Sequence, residues 1–423
     1  MESVGQILTI NPKSWMKDLL AKQPNITLES LIIPGTHDSA AYKLTPLSGS
    51  PRNYFNRFAK IPLIGRTVRA IASISALTQK LSIKDQLEAG ARSIDLRILH
   101  SKKPSPGQFS LAHSLTCITL KTCLNDIQAF IQENPHEMLV INIKPDWDNK
   151  DTLTDDKKIE FCGLLTNFFS EHLWKTDGQT PLLKQPLVSM CGKIILTLKD
   201  LPINPENGLH AKESLICDSW ANKPRVNDCF AKGQLFYEQN KNDKAHMLEI
   251  DSSPTPAKPK TTALILYKIL SSLYLYKFSC LLVKPFKRFF RNNPESTAQY
   301  FLDASETTLE KNGQEIREKL RELTLPRVER GGLIFPSDFF YGDSAQDFIQ
   351  ACVEKSKRLA EVLEKPDYEL DHKEELDIEN DLVLEHRHTL TLTNFDSPVI
   401  PTENPLPRPR STTSASSSIR LGH

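Results

Sequence analysis

The chain has no CxxC pair and no Cys/His spacing of the kind that binds zinc, although it carries eight cysteines among its 423 residues. That excludes a zinc-ribbon module and a compact disulfide framework, and leaves reduced thiols as the default. The first residues, MESVGQILTINPKSW, lack the charged n-region and apolar h-region of a secretory signal. The expectation is a cytoplasmic protein with peripheral membrane association, or one delivered by a signal-independent route. An uninterrupted membrane span is also missing. The stretch 263–283 is long enough, but Lys268 and Lys277 fall on opposite helical faces, so a spanning helix is not expected. Acidic residues are absent from two long segments. Between Asp38 and Asp85 there are eight basic residues and no acidic one, and the same count holds between Asp251 and Glu295. The net charge of +1 hides this segregation, because residues 361–385 hold eleven carboxylates against two lysines.

Short apolar, β-rich runs occur at 31–34, 93–99, 109–112, 138–143, 194–198, 215–217, 247–250 and 333–335, each followed by polar or helical sequence. Their density suits strands buried on both faces. Helical periodicity lies between them, as in 120–133, with Leu120, Leu124, Ile127 and Ile131 on one side, and in 160–173. The length admits either one large barrel with additions or two domains. Strands alternating with helices, about eight times, predict an α/β fold: a distorted TIM-like barrel with helical insertions. The barrel is expected over residues 1–365, with basic apolar insertions at about 43–80 and 258–292. Beyond it, 366–423 is first acidic and then rich in Ser and Pro, and is expected to be a disordered tail.

Several runs end in groups suited to chemistry. "LIIPGTHDSA" leads to His37 and Asp38, 93–96 carries Asp95 with Arg97 just beyond, and 109–112 ends at His113. Lys144, Lys199, Asp218 with Trp220, and Asp338 close later runs. In a parallel barrel these C-terminal strand ends would face one mouth. Two histidines with carboxylate partners suit paired acid–base catalysis near neutral pH, and arginine matches phosphate oxygens. Together they form a plausible phosphodiester-cleaving set. Each residue has a plainer alternative: a turn at His37-Asp38, a structural Arg97–Asp95 ion pair, a solvated Lys144, a helix N-cap at Asp338.

The stretches "LIIPGTHDSA", "SIKDQLEAGARSIDLRI", "FSLAHS", "NPHEMLVINIKPDW", "CGKIILTLKD" and "GGLIFPSDFF", taken in order over residues 15–353, resemble the X-type catalytic domain of phosphatidylinositol-specific phospholipase C in its single-domain, metal-independent bacterial form. The resemblance implies a distorted TIM barrel acting in two steps. His37 would be the general base on the inositol 2-hydroxyl, oriented by Asp338. His113 would be the general acid for the departing diacylglycerol oxygen, supported by Asp38. Arg97, held by Asp95, would stabilise the phosphoryl oxygens. Lys144 and Asp218 would touch inositol hydroxyls. Lys199 stands where the bacterial enzymes have arginine, and Trp220 where a tyrosine stacks on the ring. Calcium-dependent members carry an acidic residue at the position of Arg97; a guanidinium there repels Ca²⁺, so no metal or other cofactor is expected.

The partners this implies are a phosphatidylinositol-type lipid and, through the two acid-free segments, an anionic membrane surface. Helices packed on the barrel with a solvated basic face are the competing account of those segments. No nucleic-acid partner is expected, and the sequence names no protein partner. Two other functions compete: a glycerophosphodiesterase-like enzyme using metal-bound water, which would want a carboxylate at Arg97, and an inactive lipid-binding or scaffold barrel.

Overall fold

The computed structural model describes residues 10–44, 76–100, 109–113, 115–146, 153–221, 226–251, 253 and 310–364. The chain divides into two units, Met1–Lys365 and Pro366–His423, and every described residue belongs to the first. The expected tail and the insertion at 258–292 lie outside the described residues, as does most of the insertion at 43–80.

Eight strands form a curled parallel sheet: β1 (Ile32–Thr36), β2 (Ser93–His100), β5 (Leu139–Pro145), β6 (Ile194–Leu198), β7 (Leu209–Ala211), β8 (Ile216–Trp220), β9 (Met247–Asp251) and β10 (Leu333–Ser337). Their order is β7-β6-β5-β2-β1-β10-β9-β8. This is the α/β TIM-like barrel in distorted form. Its two edge strands, β7 and β8, are not paired with each other among the described residues; the four-residue helix Lys212–Leu215 joins them.

Seven of the eight apolar runs supply barrel strands. The run at 109–112 does not. It forms β3 (Phe109–His113), which lies antiparallel to β2 and makes a hairpin with β4 (Leu115–Thr119). The eighth parallel strand is β7, whose three residues are too few to show an apolar run. The strand count was therefore met by a different member.

Alternation along the strands separates core from interior. Ile94, Leu96 and Ile98 of β2, with Leu139, Ile141 and Ile143 of β5, pack outward with α3 (Leu120–Glu133) and α4 (Asp155–Phe168); the shorter α1 (Trp15–Lys22) and α2 (Ile83–Glu88) precede these in the chain. The alternate residues Asp95, Asn142, Thr197 and Glu249 are buried and polar, so these strands are not apolar on both faces as expected. The helix α3 has the expected limits, capped by Thr119 Oγ1, which accepts from Thr122 N–H at 3.2 Å. By contrast, α4 starts five residues before the expected 160 and ends at Phe168. Asp155 and Asp156 suit its positive end, and Leu173 is drawn into a bridge with Ile194. No helix among the described residues is long and apolar enough to cross a membrane.

Candidate active site

The C-terminal end of β1 runs close against the start of β2, with Gly35 in register with Ser93. A Cβ at Gly35 would lie 3.0 Å from Ser93 Cβ, closer than side chains normally pack, so glycine eases the approach of the two strands. Two residues past the strand, Asp38 takes φ +42°, a left-handed corner that aspartate tolerates better than most residues. With that corner His37 and Asp38 face each other, Nε2 to Oδ2 at 3.2 Å.

On its other side the His37 ring donates from Nδ1 to Asp338 Oδ1 at 3.0 Å. Asp338 directly follows β10 and is no helix cap, since the next helix begins at Asp343. The backbone is held as well: His37 N–H donates to Ser337 O at 3.1 Å, and Gln79 Nε2 donates to His37 O at 3.0 Å and Ser337 O at 2.9 Å. A third carboxylate, Asp251 Oδ2, lies 3.8 Å from Nε2. Burial alone would push the imidazole pKa down. Asp38, Asp251 and Asp338 outweigh it and push it up to about 10.

His113 arrives differently. The register Ile98↔Leu111 brings β3 back down along β2, so the antiparallel hairpin lowers His113 into the mouth from above. Its Nδ1 faces the Ala76 carbonyl at 2.9 Å. A carbonyl only accepts, so Nδ1 carries the hydrogen and Nε2 is left for the mobile proton. That Nε2 lies 3.1 Å from Asp38 Oδ2, and the two histidine rings stand 6.3 Å apart, nearly perpendicular.

Asp38 is thus the centre of the constellation. Its other oxygen is 2.5 Å from Arg97 Nε, and its side chain is 1% exposed. Burial raises a carboxyl's pKa, but His113, His37 and Arg97 reverse this and hold Asp38 below the usual range. Asp38 was expected to serve His113; it contacts both histidines and the arginine. Asp95 was expected to hold Arg97, but its ion-pair contact is Lys144, whose Nζ donates to Oδ2 at 3.2 Å. Asp95 is fixed from behind by Ser39, whose Oγ accepts from the Asp95 N–H at 3.0 Å. Burial raises its pKa, while Lys144 and then Arg97 lower it to well below the ordinary range.

The remaining expected residues line the opposite wall. Asp218 accepts from Lys212 Nζ at 2.8 Å. Lys199 stands at the rim, 3.7 Å from Glu213, and Trp220 is 52% exposed at the end of β8. Sequence reasoning missed Lys212, Glu249, Asn142 and Asp251. Lys212 reaches inward from the unpaired seam to Glu249 Oε1 at 3.0 Å, and Asn142 Nδ2 donates to Glu249 Oε2 at 2.6 Å. Their signal lies in "MLEIDS", where two carboxylates alternate with apolar residues at the end of the run 247–250.

His37, Asp38 and Asp95 offer ligand atoms within 4.8 Å of one another. Yet Arg97 already sits on Asp38 and Lys144 on Asp95. Two fixed cations among so few oxygens fit poorly with Ca²⁺, which takes six to eight oxygen ligands.

Residues 59–200 match the family model described as "Phosphatidylinositol-specific phospholipase C, X domain". His113, Asp95, Arg97, Lys144 and Lys199 lie inside the match; His37, Asp38, Asp218, Trp220 and Asp338 lie outside it. Among curated proteins, the human PI-PLC X domain-containing protein 1 is 28% identical over 193 residues, 44% of this chain and 57% of that protein. The 1-phosphatidylinositol phosphodiesterase of Listeria monocytogenes is 28% identical over 246 residues, 56% of this chain and 66% of that protein. The chain spans about half the length of the first curated relatives it matches, 57% of the human protein and 37% of the mouse PI-PLC X domain-containing protein 2. Among solved structures, a phosphatidylinositol-specific phospholipase C from Listeria monocytogenes superposes with TM-score 0.51 at 18% identity, covering 81% of this chain and 99% of that one. The chain therefore resembles the X-domain phospholipases in sequence and has the TIM-like fold of the bacterial enzyme.

Proposed function

We propose that this chain is a phosphodiesterase cleaving phosphatidylinositol-type phospholipid at an anionic membrane surface into diacylglycerol and 1,2-cyclic inositol phosphate. The observation that carries the reading is the single Asp38 oxygen facing Nε2 of both histidines. In the reaction, neutral His37 takes the proton of the inositol 2-hydroxyl through Nε2 as the new O–P bond forms. His113 gives its Nε2 proton to the diacylglycerol oxygen as the old O–P bond breaks. Asp338 keeps the base aligned, and Arg97 neutralises charge gathering on the phosphoryl oxygens. Slow hydrolysis of the cyclic product would reverse the two roles. Arg97 in contact with Asp38 supports a reaction without a metal.

Since His37 holds its proton up to about 10 in the free site, only its neutral fraction starts the reaction. The membrane part of the reading rests on the acid-free basic segments of the sequence, and it is consistent with a peripheral protein of the cytoplasm.

The test is incubation with phosphatidylinositol vesicles in EDTA, following diacylglycerol and cyclic inositol phosphate. Release of both by wild type, and loss in His37→Ala and His113→Ala, is the expected result. No turnover of any phosphoinositide would favour an inactive lipid-binding barrel and overturn the reading.

A further inference from the structure

The stretch 76–79, just ahead of α2, carries none of the reacting groups, yet it touches the surroundings of both histidines. Gln79 is fully buried, and its side-chain amide is used at both ends: Nε2 donates to the carbonyls of His37 and Ser337, and Oε1 accepts from Phe340 N–H at 3.1 Å. It therefore bridges the ends of β1 and β10, where the base and its aspartate stand. Thr78 repeats the bridge one residue earlier. Its Oγ1 donates to the Asp38 carbonyl at 3.0 Å, and its own carbonyl accepts from Phe339 N–H at 2.8 Å. At the head of the stretch, the Ala76 carbonyl accepts from His113 Nδ1 at 2.9 Å.

The two strand ends need such holding. Asp38 takes φ +42° and Phe339 φ +50°, both left-handed, and a bulky residue such as phenylalanine is an outlier there. Strained backbone of this kind persists where its surroundings over-determine it. Asp338 lies between the end of β10 and the strained Phe339, so the aim of its carboxylate, and with it the His37 ring, depends on that corner keeping its shape. Resting on the acid–base reading above, we propose that 76–79 is a positioning strap anchored by Gln79, one segment that sets the aim of both the base His37 and the acid His113. The strap is continuous backbone. Loosening it at Gln79 therefore also lets the Ala76 carbonyl drift, and His113 loses the acceptor that fixes its tautomer.

The test measures Gln79→Leu, similar in size but without the amide, on two water-soluble inositol phosphodiesters, one with an alkyl and one with a p-nitrophenyl leaving group. A departing alkoxide needs the proton of His113, and a nitrophenolate does not. Per folded enzyme, kcat on the alkyl ester should fall by about 100-fold with KM little changed, as for a small misplacement of reacting groups. The loss on the nitrophenyl ester should be clearly smaller, because only the base is disturbed there. On that ester, adding Gln79→Leu to Asp338→Asn should cost far less than the product of the two separate losses. Wild-type kcat in the folded variant, equal losses on both esters, or multiplicative losses with Asp338→Asn would each overturn the proposal. Thr78→Val keeps the backbone bonds of the strap and removes only the bond to the Asp38 carbonyl. It should show the same order of losses at smaller size, and it decides the question if Gln79→Leu does not fold, with equal losses again overturning the strap. Should wild type cleave neither ester nor lipid, the functional reading fails separately, and solvent exchange of the two ring Nδ1 protons is compared instead. Faster exchange at both His37 and His113 in the variant supports the strap; unchanged exchange at either ring overturns it.

Discussion

Asp38 Oδ2 lies 3.1 Å from His113 Nε2. The same oxygen lies 3.2 Å from Nε2 of His37, so one buried carboxylate faces both histidines. Groups acting as a unit lose activity as a unit. Asp38→Asn should therefore cost about 1,000-fold in kcat, on the scale of losing acid–base assistance, and adding His113→Ala to it should cost far less than the product of the two separate losses. Rates on a water-soluble inositol phosphodiester check this, and multiplicative losses would show that the histidines draw on Asp38 independently.

The His37 environment sets a pH signature. Burial opposes its charge, but three carboxylates push its pKa from 6.5 up to about 10. The folded state thus binds this proton more tightly than the unfolded one. Its contribution to stability is fully present below about 6.5 and is lost as pH rises through about 10. Two outcomes follow. The stability gap between wild type and His37→Ala should shrink between those pH values, as read by urea unfolding. The rate should climb on the alkaline side of neutrality as neutral His37 accumulates, and Asp338→Asn should move that limb to lower pH while lowering the plateau, because it also frees the ring. A wild-type limb near 6.5 in free enzyme would refute the three-carboxylate account.

What the sequence made legible was decided by period and by punctuation. Strand ends such as "LIIPGTHD" and "GGLIFPSD" combine an apolar run with an abrupt polar stop, and the parallel sheet does bring His37 and Asp338 together. Pairings across the mouth were less legible. Asp95 and Arg97 are two residues apart on one face, which invites an ion pair, but cross-strand register sets Lys144 opposite Arg97 and its amine reaches Asp95. Nor does any run announce β7, where three residues complete the sheet, or Lys212, whose burial depends on the seam between strands distant in order. His113 ends an apolar run like the others, but its strand is part of an antiparallel hairpin and not a barrel stave.

Arg97 offers a direct test of metal independence. Arg97→Lys keeps the charge but loses the planar fork, and should lower kcat by about 100-fold with little change in substrate binding. Arg97→Asp removes the cation from Asp38 and adds a carboxylate beside Asp38 and Asp95, so its residual activity should rise with Ca²⁺, whereas wild type should not respond to Ca²⁺ or EDTA. Steady-state rates across a calcium titration give the answer, and wild-type dependence on Ca²⁺ would overturn the assigned role of Arg97.

At the opposite end of β2 from Arg97 stands a second buried ion pair with a purely structural task. Arg92 is fully buried; its Nε donates to Glu137 Oε2 at 2.8 Å, while Nη1 donates to the carbonyls of Leu87 and Ala91 and Nη2 to those of Pro12 and Lys13. Glu137 in turn accepts from the N–H groups of Met16 at 3.3 Å and Lys17 at 3.0 Å, at the start of α1. The pair thereby ties α1, the turn before β2 and the approach to β5 into one closed end. Removing one partner leaves the other charge buried without compensation, which costs about 3–5 kcal/mol. Glu137→Ala should lower unfolding stability by that amount in urea while leaving kcat of the folded fraction near wild type, since no group of the mouth touches the pair. A parallel loss of kcat in fully folded protein would mean instead that the closed end also sets the position of Asp95 and Arg97 through β2.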